Sequence, residues 1–528
     1  MCCLKTKNSI LLVRMKKILF PCLLLAAIAM HAQNVTITLS KEFALKDPGS
    51  TLNESMYKLG DFFYMMELDY KGMQLAYTAK LEKIKYAIIV HKYDSEMKEV
   101  AKYTVGNGKE FGPFPGHMVI YDNQLVVFYY QVQEGHIIKL LMTAIDPGAL
   151  AEQTTKELYN ITEKNTGFFG MINSINNNSL KIWPSPEQGK LLLCQSGNTP
   201  EIFSCVINNK FDVVQSRTSV VKVKYPDFKV NNAYIDDNGN NYFSYTYTLD
   251  KVNKRGILAQ TAGNKEAYVD FTSGNALWEA NVLSFHKSAD NATLYVYANY
   301  YGDFLDEGLM VTTFNTPTLK FGKPDFYAYP QHVRERMKKM GFAEKQKGTI
   351  TVRRVDFVCN DMEDGTLAFS GTPVFAVSGE TSKGYTISKT YTGPIINFFV
   401  KNSNYNIGIV YRSIPEADPA GVIVMPFKNN LLLIYNDGPK NINIKDTSDY
   451  DDVSKPSGLV LAKALVSANG EVLSKQQISD NPVGSNYFFT TYRQRLGANR
   501  YLIPIGRERV NMVRYFTEIV QWATIDIQ

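Results

Sequence analysis

Four carboxylates, Asp446, Asp449, Asp451 and Asp452, fall within seven positions of one another. Oxygen-rich loops suit Ca²⁺, which takes carboxylate and carbonyl ligands. This run lacks the alternating spacing, central glycine and terminal glutamate of a calcium hand, so a solvated acidic loop is the expectation. The turn Asp236-Asp237-Asn238-Gly239 has the same ambiguity, and there Asn-Gly alone accounts for a hairpin. Beyond residue 33 the histidines are His91, His117, His136, His286 and His332, far apart along the chain, and a structural or surface role is expected for each. The sequence has no Gly-x-Ser-x-Gly elbow, Gly-x-x-x-x-Gly-Lys phosphate loop, His-Glu-x-x-His or Cys-x-x-Cys, so no metal or cofactor is expected. Cys194 and Cys205 stand symmetrically about the loop Gly197-Asn198-Thr199-Pro200 and are expected as cross-strand neighbours. Directly opposed strands rarely meet disulfide geometry, which favours two buried thiols over a bond.

One basic cluster could do recognition chemistry. In the stretch from Pro330 to Gly348, Val333, Met337 and Met340 recur at helical spacing, with Arg334, Arg336, Lys338 and Lys339 around them and Gly341 as a stop. The plain reading is a short inserted helix whose apolar stripe covers its neighbours while its charges face water. The sharper one makes Arg334, Arg336, Lys338 and Lys339 a docking element for an acidic partner.

The elements that must position these groups are strands. Eight short apolar and aromatic runs each follow a turn residue: Gly60, Asn123, Gly189, Gly239, Asn291, Gly365, Asn429 and Gly497, at steps of 63, 66, 50, 52, 74, 64 and 68. Such a period is a repeat signal. One repeat reads clearly: strands at Phe228 to Ile235, Tyr242 to Thr248, Gly256 to Gln260 and Ala267 to Phe271, joined by turns. Four antiparallel strands per repeat make a propeller blade. Val35 to Leu39 has no hairpin of its own, and the strand from Trp522 to the end lacks a fourth partner. Pairing them completes a blade and removes two exposed edges. The expected fold is therefore an all-β propeller of about eight four-stranded blades, with seven the alternative, closed by its two terminal strands and carrying one helical insertion at 330–348.

The chain opens as an export leader. Met15-Lys16-Lys17, the apolar run Ile18 to Met30 and His31-Ala32 before Gln33 form a charged n-region, short h-region and small cleavage residue. Residues 1–32 are expected to be a signal peptide, and 33–528 a single propeller domain in the periplasm or outside the cell. Removing the leader's five basic residues from 57 leaves 52 against 51 acidic ones, so no basic excess marks a nucleic-acid reader. Cys22 lies in mid h-region after Phe20-Pro21, a poor place for lipidation, and no later run approaches the ~20 apolar residues of a membrane helix.

Two segments, Ser288-Ala-Asp290-Asn-Ala-Thr and Asp361-Met-Glu-Asp364-Gly-Thr, resemble the aspartate-box turn of sialidase-type propellers, a fold-stabilising turn. The resemblance implies no activity. A sialidase would need arginines to clamp a carboxylate, for which Arg353, Arg412, Arg493, Arg507 and Arg509 are available, and no Phe-Arg-Ile-Pro segment follows the leader. The stretches Arg354-Val-Asp-Phe-Val-Cys-Asn-Asp-Met-Glu-Asp-Gly, Leu432-Leu-Ile-Tyr-Asn-Asp-Gly-Pro-Lys-Asn and Tyr501-Leu-Ile-Pro-Ile-Gly-Arg resemble uncharacterised secreted β-propeller proteins of Bacteroidota. That resemblance implies the fold and export and carries no catalytic residues. The functional expectation is a monomeric, non-catalytic propeller that binds an envelope protein or glycan through loops on one face. A glycan-active enzyme, glycosidase or lyase, is the alternative. A carboxylate pair 5 to 9 Å apart at the channel mouth would favour the enzyme, and an apolar plug the scaffold.

Overall fold

The computed structural model describes residues 34–528 apart from 43–50, 72–84, 109–115, 134–136, 163–179, 197–200, 221–227, 250–251, 272–277, 281, 289–292, 303–306, 340–342, 347–348, 353–354, 381–385, 413, 416–420, 444–457, 480–485, 491–492, 498 and 511–514. The leader, the acidic loop at Asp446 to Asp452, the Gly197–Pro200 loop, His136, Asp290 and Met340 lie outside the described residues.

Eight antiparallel blades form the ring. From the innermost strand outward, blade one is Thr51–Leu59, Phe62–Lys71, Lys85–Tyr93 and Glu99–Thr104; blade two is His117–Tyr121, Gln124–Gln133, Ile137–Asp146 and Ala151–Thr162. Blade three is Lys181–Pro184, Lys190–Ser196, Glu201–Asn208 and Val213–Val220, and blade four Lys229–Ile235, Asn241–Leu249, Val252–Gln260 and Glu266–Asp270. In blade five the inner strand is split into Trp278–Ala280 and Ser284–Lys287, followed by Leu294–Gly302, Glu307–Asn315 and an outer strand split at Lys320–Phe321 and Asp325–Ala328. Blade six is Val355–Asp361, Leu367–Glu380, Ile395–Lys401 and Asn404–Val410, its long second strand also pairing with Thr386–Thr392. Blade seven is Val422–Phe427, Asn430–Asp437, Val460–Ser467 and Val472–Ser479.

Blade eight is made from both ends of the chain. Tyr487–Phe488 and Gln494–Gly497 lie innermost, then Arg500–Val510 and Tyr515–Ile527, and Val35–Leu39 is the outer strand. The register runs from Val35 opposite Ile527 to Leu39 opposite Ala523, which is the expected closure. Ser40 seals the end, its hydroxyl accepting from the Trp522 N–H at 3.0 Å.

The ring is held by eight apolar clusters, one at each junction between neighbouring blades. Each arises from period-two alternation, which sends one face of a strand to the preceding blade and the other to the next. Among the described residues, the junction of blades eight and one has five buried side chains (Phe63, Met65, Met97, Leu502, Trp522) against eleven to fifteen at the others. Near the axis the Gln494 amide spans that seam like an added strand, its Oε1 accepting from the Lys58 N–H at 2.9 Å.

The two rims differ. Inner hairpins turn tightly, as from Leu59 to Phe62, Tyr121 to Gln124 and Phe427 to Asn430, while the opposite rim carries long connections, from Thr162 to Lys181, Ala328 to Val355 and Asp437 to Val460. Tight turns demand left-handed backbone, supplied by Gly60, Gly239 and Gly365 and by Asn123 at φ 58°. Asp364 fixes the blade-six turn as the aspartate-box resemblance implies: it accepts from the Thr366 N–H at 3.0 Å and the Lys401 ammonium at 2.8 Å.

Register corrects the cysteine expectation. Cys194 faces Ser204 and Leu193 faces Cys205, one residue off direct opposition. A one-residue offset places two side chains on opposite sheet faces, so Cys205 joins the blade two–three cluster and Cys194 the blade three–four cluster. Both are free buried thiols, and burial pushes each up to about 12.

Candidate functional site in the channel wall

The inner strands of blades six, seven and eight frame a cavity of about 340 Å³. Its lining follows from alternation. In Val355–Asp361 the odd positions Val355, Phe357 and Cys359 are buried against blade five, which turns Asp356, Val358 and Asn360 to the other face, where they line the cavity with blade seven. Val358 is 53% exposed although it stands mid-strand. Val422 and Val424 alternate in the same way with buried Ile423 and Met425. From blade eight come Arg493 and Arg495, two positions apart and both exposed to the cavity.

The cavity thus has two guanidinium groups against one carboxylate, Asp356, among its described lining, with Asn360, Ser370, Thr372 and Tyr501 completing the polar set. Arg493 donates to the Thr490 carbonyl at 3.3 Å and Arg495 to the Gly497 carbonyl at 3.1 Å, which fixes both side chains to main chain. Desolvation by the enclosing walls lowers Arg493 from its usual value, with Tyr501 offsetting part of the effect. Guanidinium stays charged even so. Burial raises the Tyr501 phenol, and the two arginines pull the other way. Asn360 adds a buried amide nitrogen without a hydrogen-bond partner among the described residues. Paired forks of N–H donors recognise planar oxyanions, so this geometry suits a carboxylate. Acid–base or acid–nucleophile hydrolysis needs two carboxylates, and the described lining supplies one.

The structure separates the other candidates. The helix, α1, is described over Gln331–Lys339, short of the stop expected at Gly341, and Ala343–Gln346 and Thr349–Val352 pair as a hairpin. Val333 and Met337 are buried with Tyr297, Tyr327, Phe357 and Phe398, which makes α1 a wedge between blades five and six. The basic residues are not one solvated face. Arg334 shares the buried side with Met337, three residues on, and is 9% exposed; Arg336 lies over the Tyr411 ring at 4.1 Å. Lys338 and Lys339 alone remain exposed.

Among the arginines available for a clamp, Arg412 is wholly buried and donates to the Gly393 carbonyl at 3.2 Å, which removes it from any ligand. Arg353 and the side chains of Arg507 and Arg509 lie outside the described residues. Arg495, which the sequence reading missed, takes the place beside Arg493. The histidines hold structure: His91 bridges Glu67 and Glu99 at 2.6 Å each across three strands of blade one, and His286 ties blade five to Asp361 of blade six at 2.9 Å. His117 stands on the inner strand of blade two, where burial lowers it, and His332 is exposed on α1.

No protein-family model matches the chain, and no curated protein matches it in sequence. Among solved structures it is similar to a eukaryotic initiation factor, at 11% identity and a TM-score of 0.37 over 92% of each chain. It is also similar to a PL25 ulvan lyase, at 12% identity and a TM-score of 0.35 over 76% of this chain and 91% of that one. A protein of unknown function from Bacteroides caccae matches 64% of this chain and 90% of its own, at 10% identity and a TM-score of 0.26. These likenesses concern the fold alone.

Proposed function

We propose that this protein is an exported, non-catalytic propeller that binds an acidic glycan of the cell envelope in the cavity of blades six to eight. The observation that carries the reading is the pairing of Arg493 and Arg495 across from a single carboxylate, Asp356, in a cavity sized for one sugar residue. Two fixed guanidinium groups match a uronate carboxylate, and Asn360, Ser370 and Thr372 offer partners for ring hydroxyls. Export is supported by the leader Met15 to Ala32, and the resemblance to secreted Bacteroidota propellers agrees with it.

Calorimetric titration with uronate trisaccharides tests the reading. Each Arg→Gln change removes charge-assisted bonds worth about 1.5–3 kcal/mol. Arg493→Gln and Arg495→Gln should each weaken binding by about ten- to a hundredfold at an unchanged melting temperature. The competing reading, a glycan-active enzyme, predicts release of reducing ends or of unsaturated uronate on prolonged incubation. Turnover abolished by Asp356→Asn would replace binding with catalysis.

A further inference from the structure

A second cavity, of about 700 Å³, opens on the tight-turn rim between blades four and five, away from the channel. Its described lining comes from the turns after Ile235, Gln260 and Asn315 and from Lys287 and Thr293 of blade five. Lys287 ends the inner strand of blade five, and its side chain is only 8% exposed. Among the described residues its nearest charged partner is Asp236 Oδ2 at 3.9 Å, beyond hydrogen-bond reach. Asp236 is itself occupied: Oδ1 accepts from the Asn240 N–H at 2.9 Å, and Oδ2 accepts from the Asn240 amide at 2.8 Å and the Tyr242 hydroxyl at 3.3 Å. It balances charge without satisfying the three donors of the ammonium group.

The ammonium donors of Lys287 are open to the cavity, where a ligand's oxygen atoms can replace water. The rest of the lining is donor-rich as well. Lys265 stands exposed at the rim, and Asn315 spends its carbonyl oxygen on the Thr318 N–H at 2.8 Å and hydroxyl at 2.6 Å, which leaves its amide nitrogen for the cavity. Within the described lining, two lysines against Asp236 give a net positive charge, and the volume exceeds that of any single inorganic oxyanion. Threonine and asparagine side chains dominate the walls, with Phe314 and Pro317 the large apolar groups.

We propose that this cleft is a second carbohydrate site, taking an acidic oligosaccharide with a carboxylate on Lys287 and sugar hydroxyls on Asn315 and the turn threonines. The inference does not depend on the channel reading, and the test keeps the two apart. The Arg493→Gln/Arg495→Gln protein is titrated with trimers of galacturonate, glucuronate and mannuronate, with the neutral trimer maltotriose and with sodium sulfate. At least one uronate trimer should bind, maltotriose should not, and Lys287→Met should lower affinity about tenfold or more. Loss of the buried cation could disturb folding, so Lys265→Ala and Asn315→Asp, both on the exposed rim and the second keeping the oxygen that accepts from Thr318, should each weaken binding a few-fold with an unchanged melting curve. Binding of none of the three trimers, or affinities unmoved by all three variants, would overturn the proposal. Sulfate binding as tightly as the trimers would reduce the cleft to a simple anion site. A failed channel reading leaves the arginine double variant identical to wild type and does not touch these outcomes.

Discussion

Trp522 packs across the seam that closes the ring. It is 2% exposed and lies with Phe63, Met65, Met97 and Leu502 in the smallest of the junction clusters among the described residues. Truncating a buried tryptophan costs about 3–5 kcal/mol through lost transfer free energy and the cavity left behind. A chain of about 500 residues melting as one unit has an unfolding entropy near 1 kcal/mol/K, so Trp522→Ala should lower the melting temperature by only about 3–5 °C. Local opening is the sensitive readout. If the seam parts before the rest of the ring, the same 3–5 kcal/mol falls on the opening equilibrium, where each 1.4 kcal/mol is tenfold. Amide exchange in Val35–Leu39 and Trp522 to Ile527 should then accelerate by roughly two to three and a half orders of magnitude, with blades three to five unaffected. Leu433→Ala, in the thirteen-residue cluster of blades six and seven, is the control: a comparable melting shift without faster exchange at Val35–Leu39. Unchanged exchange at the terminal strands in Trp522→Ala would refute the seam as the weak junction.

Three further outcomes follow from the same packing. Met337→Ala should destabilise by about 2–5 kcal/mol because α1 is a wedge, while Lys338→Glu with Lys339→Glu should stay within about 0.5 kcal/mol by chemical denaturation; equal costs would mean the charged face is packed instead. Asp364 is held down at about 2, first by the hydrogen bond from Lys401, so its stabilisation is present above the ordinary carboxylate value of 3.8 and is lost as pH falls toward 2. With Lys401 47% exposed that contribution is at most about 1 kcal/mol, and Asp364→Asn should remove this segment of the stability–pH curve. Cys194 and Cys205, raised to about 12 by burial, should stay unreactive to thiol reagents in the native protein, with no mass change on reduction.

The ring was legible because its punctuation is local. Gly60, Asn123, Gly239 and Gly365 sit at the inner-hairpin turns that need left-handed backbone, and every run chosen from the sequence is the second strand of its blade. Closure was legible for a related reason: Val35 to Leu39 alternates like an outer strand and had only Trp522 to Ile527 left to pair with. What failed was anything set by one residue of register or by tertiary contact. The offset that sends Cys194 and Cys205 to opposite faces comes from the hairpin connecting them, and symmetry about the loop cannot register it. Arg334 looked solvated because helical periodicity treats a helix as touching one surface. Set between two blades, α1 buries a wider arc than its apolar stripe, and Arg334 falls inside it.

The channel site was harder to foresee, since Asp356 and Arg493 are brought together only by the packing of blades six, seven and eight. A signal was nonetheless present in the strand itself. Val355, Phe357 and Cys359 interleave with Asp356, Val358 and Asn360, and a strand whose core face is that apolar must turn a mixed, polar face elsewhere. In a blade that face turns toward the neighbouring blade, and close to the axis it lines the gap between inner strands. Reading the first strand of each blade for its off-core face picks out Asp356 and Asn360 in blade six and Arg495 in blade eight, with Arg493 just ahead of that strand. Residues lining such a gap are less tightly packed than the core face, as Val358 at 53% exposed shows, which frees them for chemistry and hides them from a search for core periodicity.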